Sequence, residues 1–301
     1  MKSSATVFLA AFLALAASWG GFVLAPQIQL GRSVQAVPLG SASLYPLARP
    51  GLAKQGLEVY RANGCVYCHT QQVGQEGAHA EIYLAEAGTN VAATLAAIAK
   101  LNPDLAKPET LANLPRKIVE VADMNAAESV VRQLKAGGGR VEPVIVADGQ
   151  DIARGWGKRR TVAQDYLQDY PVQLGTRRIG PDLANVGTRW TDPNWHYRHL
   201  YAPASELQDS KMPPFRYLFE TRRMGQTASP DALKLAGDWA PPPGYEIVPK
   251  PEAQALVAYL LSLRADAPLF EAPLTPPPGS AAPTNAPEPV VNPPVAAAFA
   301  K

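Results

Sequence analysis

The chain's two cysteines, Cys65 and Cys68, stand three apart and are followed directly by His69. With no third cysteine, all disulfide, thiolate and metal–sulfur chemistry is confined to one point in the chain. A redox-active CxxC pair needs no histidine beside it. A zinc site needs two further ligands with their own spacing, and there is no second CxxC. Cys65, Cys68 and His69, at the spacing of Cys65-Val66-Tyr67-Cys68-His69, are all required by a third chemistry, in which two thiols add across the two vinyl groups of a haem and the next histidine ligates the iron. The run therefore reads as an attachment site for one covalently bound haem c, with Cys65 and Cys68 as thioether donors and His69 as a metal ligand.

A haem iron needs a second axial ligand or an open position, and the candidates are Met124, Met212, Met224, His79, His196 and His199. Met212 is the best of them. It lies in Asp209-Ser210-Lys211-Met212-Pro213-Pro214-Phe215, where consecutive prolines impose extended backbone and stop a helix from carrying the sulfur away. A methionine followed by two prolines is also a poor residue for a core helix. His196 and His199 fall three apart on a segment that Asp192 can cap and Pro193 can open. That spacing could bind a metal, but without matching ligands elsewhere it suggests a surface or partner-facing role.

Residues 5–26 carry no charge, are rich in Leu, Ala and Phe, and follow Lys2; the length suffices to span a bilayer. Ala14, Ala16 and Ala17 offer small residues where a signal peptidase could cut. The apolar run nevertheless exceeds a usual signal core of about 7–15 residues and continues through Trp19, Phe22, Val23 and Leu24, which favours a retained single-pass anchor. Either way the rest is exported, placing the C-terminal domain on the periplasmic face of a bacterial inner membrane. With 28 basic and 26 acidic residues and a formal charge of +2, the chain has no dense basic block, and nucleic acid is not an expected partner.

Periodicity and breakers divide the chain further. Residues 1–26 read as the anchor and 27–50, with Gly31, Pro38, Gly40, Pro46 and Pro50, as an extended tether. Helical spacing over 51–64 delivers a helix end to the cysteines, and residues 250–263 form a second strong helix opened by Pro251 and Glu252. Within 76–159, strand-like 117–121, helical 125–136 and strand-like 140–146 make a βαβ-like unit in an insertion. Its run Ala127-Glu128, Val131, Leu134-Lys135, Gly138, Val141-Glu142 faintly resembles the C-terminal domain of the ribosomal stalk protein, a likeness that transfers no function. Residues 265–301 are rich in Pro and Ala without periodicity and read as a disordered tail.

Taken in order, Gly56-Leu57-Glu58-Val59-Tyr60, Gly64-Cys65-Val66-Tyr67-Cys68-His69-Thr70-Gln71, Gly180-Pro181-Asp182-Leu183-Ala184-Asn185-Val186-Gly187, Trp195-His196, His199-Leu200 and Ser210-Lys211-Met212-Pro213 resemble the monohaem subunit, subunit II, of cbb3-type cytochrome c oxidases. The resemblance implies a mainly α fold: one transmembrane helix, a class I cytochrome c-like domain over 51–75 and 160–264, and a small α+β insertion. It implies His69 and Met212 as iron ligands, the carbonyl of Pro181 as the partner of the histidine's other nitrogen, and Arg189, with Arg177 and Arg178, as candidates for the haem propionates. Gly56 and Tyr60 would face Tyr259 and Leu260 where the first and last helices cross. The implied function is electron relay to a haem–copper catalytic subunit, with a further cytochrome c subunit or a soluble cytochrome as donor and no catalytic site in this chain. A stand-alone anchored carrier and the cytochrome subunit of a periplasmic dehydrogenase are the alternatives. One departure from the family is the segment of roughly 110 residues between the haem motif and Gly180-Pro181-Asp182-Leu183, much longer than in typical members.

A retained anchor predicts that the intact mass of the membrane-extracted protein includes the first 17 residues; a mass short of them would identify a cleaved signal.

Overall fold

The computed structural model describes residues 2–31, 45, 46 and 48–267. Much of the expected tether at 27–50 and nearly all of the expected tail at 265–301 lie outside the described residues. The chain starts with α1 (Lys2–Trp19), a π-helical turn over Gly20–Leu24 and α2 (Ala25–Gly31), with helical backbone at both joints. The stretch Ser4–Gln29 has a mean hydropathy of 2.1, and among the described residues it is the one helix long and apolar enough to cross a membrane. Val7, Phe8, Leu9 and Leu13 are all exposed and point to different sides of it, an all-round apolarity of the kind that a helix crossing a bilayer requires.

The main core is organised by two helices far apart in sequence. α3 (Gly51–Ala62) buries Ala53, Gly56, Leu57 and Tyr60, one stripe at helical spacing. The last described helix, α11 (Pro251–Ser262), begins with Pro251 in its first turn, where a missing N–H costs nothing, and buries Ala253, Leu256, Val257, Tyr259 and Leu260. The two cross at Gly56, where a Cβ would stand 1.9 Å from the carbonyl oxygen of Ala255. Only glycine permits that approach, and it brings Tyr60 and Tyr259 into a tilted ring contact with centroids 5.3 Å apart. Leu183, Val186, Leu200, Leu218 and Ile247 complete the cluster.

A second, separate core lies in the segment between the cysteines and residue 150. The strands β1 (Gly77–Glu86), β2 (Arg116–Val121) and β3 (Arg140–Asp148) form a sheet of order β2-β1-β3, with β1 antiparallel to both neighbours. β2 and β3 therefore run parallel to each other, split by β1, and α6 (Met124–Lys135) makes the crossover between them. Ala80, Ile82 and Leu84 alternate inward from β1 and meet Ile98 of α4 (Val91–Leu101) and Ala127, Val131 and Leu134 of α6. A short helix α5 (Pro108–Ala112) leads into β2. The pattern strand–helix–strand at 117–146 is visible in the sequence. The central β1 is an addition from the structure, because a strand's place in a sheet depends on partners distant in the chain.

The two ends of this unit lie side by side. Gly77 pairs with Asp148, Glu76 N–H donates to Asp148 O at 2.8 Å, and Gly74 N–H donates to Asp151 Oδ2 at 2.7 Å. Asp151 sits in α7 (Gln150–Ala153). The chain thus leaves the neighbourhood of the cysteines and returns to it through one narrow neck. It continues through α8 (Val186–Arg189), α9 (Pro193–Tyr201) and α10 (Pro203–Glu206), then a hairpin of β4 (Phe219–Arg223) and β5 (Tyr245–Pro249) that leads into α11.

The hairpin carries a buried carboxylate, Glu246. It accepts hydrogen bonds from the hydroxyl and the N–H of Ser229, at 2.6 and 2.7 Å, and from Arg222 Nε at 2.8 Å. These donors, Ser229 first, hold its pKa at about 2, against an ordinary 4.5. Between those values the unfolded chain binds more protons than the folded one, so the stability Glu246 contributes is complete above about pH 4.5 and is lost as pH falls toward 2. Glu246→Gln is expected to lower the urea midpoint at pH 7, with the gap from wild type closing across that acid window.

Candidate functional site

α3 ends at Asn63, and Gly64, with φ of 65°, takes the left-handed conformation that turns the chain into a 3-10 turn over Cys65–Tyr67. Cys68 N–H and His69 N–H both donate to Cys65 O, at 3.2 and 3.0 Å. The turn fixes the two thiols and the imidazole relative to one another within five residues. The cysteines are unpaired and partly buried, and burial pushes the Cys65 thiol up to about 12. A redox-active CxxC has the opposite shift, toward thiolate.

The backbone after the turn is held by a segment more than a hundred residues away. Gly180 N–H donates to Cys68 O, Leu183 N–H to Thr70 O and Gln71 N–H to Leu174 O, at 2.8–2.9 Å. At the centre of this seam, His69 Nδ1 lies 2.8 Å from Pro181 O. A carbonyl can only accept, so this contact selects the Nδ1–H tautomer and leaves Nε2 with its lone pair available to a metal. Burial lowers the His69 pKa, more than the Pro181 carbonyl raises it, and keeps the ring neutral. Gly180 lies under the ring, where a Cβ would meet His69 Cε1 at 2.2 Å. Gly175, at φ of 74°, passes the His69 carbonyl so closely that a Cβ would stand 2.3 Å from it.

Asp182 locks the seam and is fully buried. Its carboxylate accepts from Thr70 Oγ1 at 2.5 Å, from Gln72 N–H at 2.8 Å and from Ala184 N–H at 2.8 Å. The sequence places Asp182 in a motif without saying what it does; the acceptor role appears only once residues 70–72 are seen beside it. Gln71 reaches the opposite way, donating Nε2–H to Tyr259 Oη at 3.0 Å, which ties the seam to α11.

The remaining candidates separate clearly. Met212 lies in a non-helical stretch, partly buried, and packs on the same core cluster as Cys65, Val66, Tyr197 and Tyr201. Met124 packs on the second core, His79 binds Asp148 at 2.8 Å within that unit, and Met224 is exposed beyond β4. Arg177 is exposed. Arg178 closes the neck instead of facing the turn: its guanidinium donates to both Asp151 oxygens, at 3.0 and 2.8 Å, and to Gln72 O and Thr70 Oγ1. Arg189 donates Nη2–H to the Asp182 carbonyl, while its Nε is buried without a partner.

His196 and His199 differ from the surface role their spacing suggests. His196 is 2% exposed and hydrogen-bonds through Nε2 to Trp190 O at 2.8 Å. His199 stacks on Trp195, and burial, then His196 and His69, push its pKa down to about 4. His196 turns inward to the Trp190 carbonyl and His199 is half-buried against Trp195, tertiary packing that helical spacing alone does not disclose.

Residues 150–236 match the model of a family described as cytochrome c oxidase, mono-heme subunit/FixO. This is the family that the sequence motifs resemble. The matched stretch holds Pro181, Asp182, Arg189, His199 and Met212, and leaves out the cysteines and the unit built on β1, β2 and β3. No curated protein matches the chain. Replacing Gly180 with Ala should displace the His69 ring, and the expected result is a fall in the haem-to-protein ratio of the purified chain, read from a pyridine haemochrome spectrum.

Proposed function

We propose that the chain is a membrane-anchored monohaem cytochrome c subunit that relays electrons to the haem–copper catalytic subunit of a cbb3-type terminal oxidase. The observation that carries this reading is the seam between the cysteine turn and the segment matched to the mono-heme oxidase family: His69 sits over Gly180 with Nδ1 on Pro181 O. A haem bound there would supply reversible one-electron exchange at its iron. The residues present fit such a group, since the structure offers two closely spaced thiols, a neutral imidazole with one nitrogen left free, and buried nitrogens without partners.

In this reading Cys65 and Cys68 hold the cofactor covalently, His69 ligates iron through Nε2, and Pro181 orients the imidazole. Met212 is the second ligand: it shares a packing cluster with the cysteine turn, and the two prolines after it keep its backbone extended. Thioether ligation and apolar surroundings favour a high potential, suited to the oxidising end of a chain. The helices α3, α9 and α11 and the turn form a class I cytochrome c-like domain built from 51–75 and 160–264, with 76–159 as an inserted unit. The apolar helix at Ser4–Gln29 retains the subunit in the inner membrane with that domain in the periplasm. A second cytochrome c subunit or a soluble cytochrome would deliver the electrons.

Two experiments test this. Met212→Ala should abolish the weak absorption band of methionine–iron ligation while covalent haem remains; survival of the band would assign the ligand to another residue. Mild detergent extraction should recover the chain in a stable complex with a large haem-containing membrane protein. Recovery as a monomer that exchanges electrons with several soluble partners would make it a free carrier, and recovery with a soluble catalytic protein would make it a dehydrogenase subunit.

A further inference from the structure

The inserted unit turns one face of its sheet toward α4 and α6, through Ala80, Ile82 and Leu84. Strand alternation puts His79 and Glu81 on the opposite face, and pairing with β2 sets Glu120 directly across from Glu81. Two carboxylates opposed across strands repel, so the pairing calls for a cation between them. In this structure Lys117 supplies it, donating to Glu81 Oε1 at 2.9 Å and also to Glu120. The Lys117 side chain is 40% exposed, so it can leave that position for solvent.

Two of the groups around this point are held by the atom that faces away from it. His79 Nδ1 lies 2.8 and 2.9 Å from the two Asp148 oxygens. A carboxylate accepts, so Nδ1 carries the proton and Nε2 keeps its lone pair. That nitrogen stands 3.9 Å from Glu81 Oε1, while Glu81 Oε2 accepts from the Tyr83 hydroxyl at 2.9 Å. One ligand atom each from His79, Glu81 and Glu120 lie within 4.8 Å of one another. Around a tetrahedral zinc ion, ligands at about 2.0–2.1 Å from the metal stand roughly 3.4 Å apart. The remaining contraction falls on Glu120, whose side chain is 54% exposed and can move.

We propose that His79 Nε2, Glu81 and Glu120 form a binding site for a divalent cation of the zinc class, buttressed by Asp148 and Tyr83, in which the metal and Lys117 compete for the same two carboxylates. The two carboxylates offset the charge of the ion, and a water molecule completes the tetrahedron. An imidazole among the ligands selects zinc and its neighbours over calcium or magnesium, which take oxygen ligands. The bound metal clips β1 to β2, and the His79–Asp148 bond already joins β1 to β3, so all three strands become cross-linked. The site lies within the inserted unit and is independent of the haem reading.

The test is calorimetric titration of zinc chloride into the untagged, full-length, haem-loaded chain in detergent. The expected result is one equivalent bound, with affinity lowered at least about tenfold in Glu120→Gln and His79→Ala and by about 10–100-fold in Asp148→Asn, the range usual for an outer-shell partner. Lys117→Met removes the competing cation and is expected to tighten binding. A wild type that takes up no zinc overturns the proposal, as does an affinity unchanged in Glu120→Gln and His79→Ala, which would assign the ion to scattered surface carboxylates. Weaker binding in Lys117→Met would overturn the competition. Should His79→Ala fail to fold, zinc-edge X-ray absorption of the wild type decides: an imidazole shell beside the oxygen shell supports the site, and an all-oxygen shell overturns it.

Discussion

The hydrogen bonds that Asp182 accepts across the seam are the constraint on which the site depends. A carboxylate with no solvent exposure is tolerable only where donors surround it, and here Thr70, Gln72 and Ala184 supply them. Because two of those donors belong to the stretch after the cysteines, the carboxylate fixes residues 70–72 against 182–184. Pro181, one residue earlier, then has its carbonyl at His69, and Gly180 lies beneath the ring. Removing the charge would leave three donors facing an unsuitable partner and would free the imidazole to rotate. The geometry at His69 is therefore set by a residue that never touches it.

A seam of this kind explains how a long unit can be accommodated between two halves of one site. The ends of the unit are clamped by β1–β3 pairing and by the Asp151–Arg178 ion pair, and Arg178 also contacts Thr70 and Gln72. A chain that closes its own ends places no demand on the path between them, and the entropic cost of a longer closed path grows only slowly with length. The unit has its own core of Ile82, Leu84, Ile98, Ile118 and Leu134, so its stability need not draw on the main cluster. On the proposed function, the departure from typical family members changes the surface around the cofactor and leaves the residues holding it in place.

How much of this could be read from the chain depends on the range of the interactions involved. The cysteine turn is local: five consecutive residues, with Gly64 to start the turn, carry its geometry. The α3–α11 crossing was also accessible, since each helix shows its own apolar stripe and Gly56 marks where a partner must come close. By contrast β1 carries the alternation Ala80, Ile82, Leu84, yet its central place in the sheet follows from two strands that come later in the chain. Arg178 illustrates the other limit. A basic residue near a haem motif suggests an anion partner, but which anion depends on Asp151, brought back by the whole inserted unit.

The site residues also come from elements that combine the hydrogen-bonded seam with a shared apolar cluster. Cys65 and Val66 of the turn, Leu183 and Val186 of the stretch it pairs with, Tyr197 and Leu200 of α9, and Met212 all pack on one apolar cluster with Leu57, Leu218 and Leu256. A cofactor in contact with all four would replace unpaired nitrogens and partly exposed apolar surface with bonds and packing, so its binding energy would be folding energy as well. On the proposed function, the same arrangement would keep the reorganisation accompanying electron transfer small. With the imidazole tautomer fixed by Pro181 and its plane limited by Gly180, the change of one charge at the iron would find the surrounding dipoles already in place.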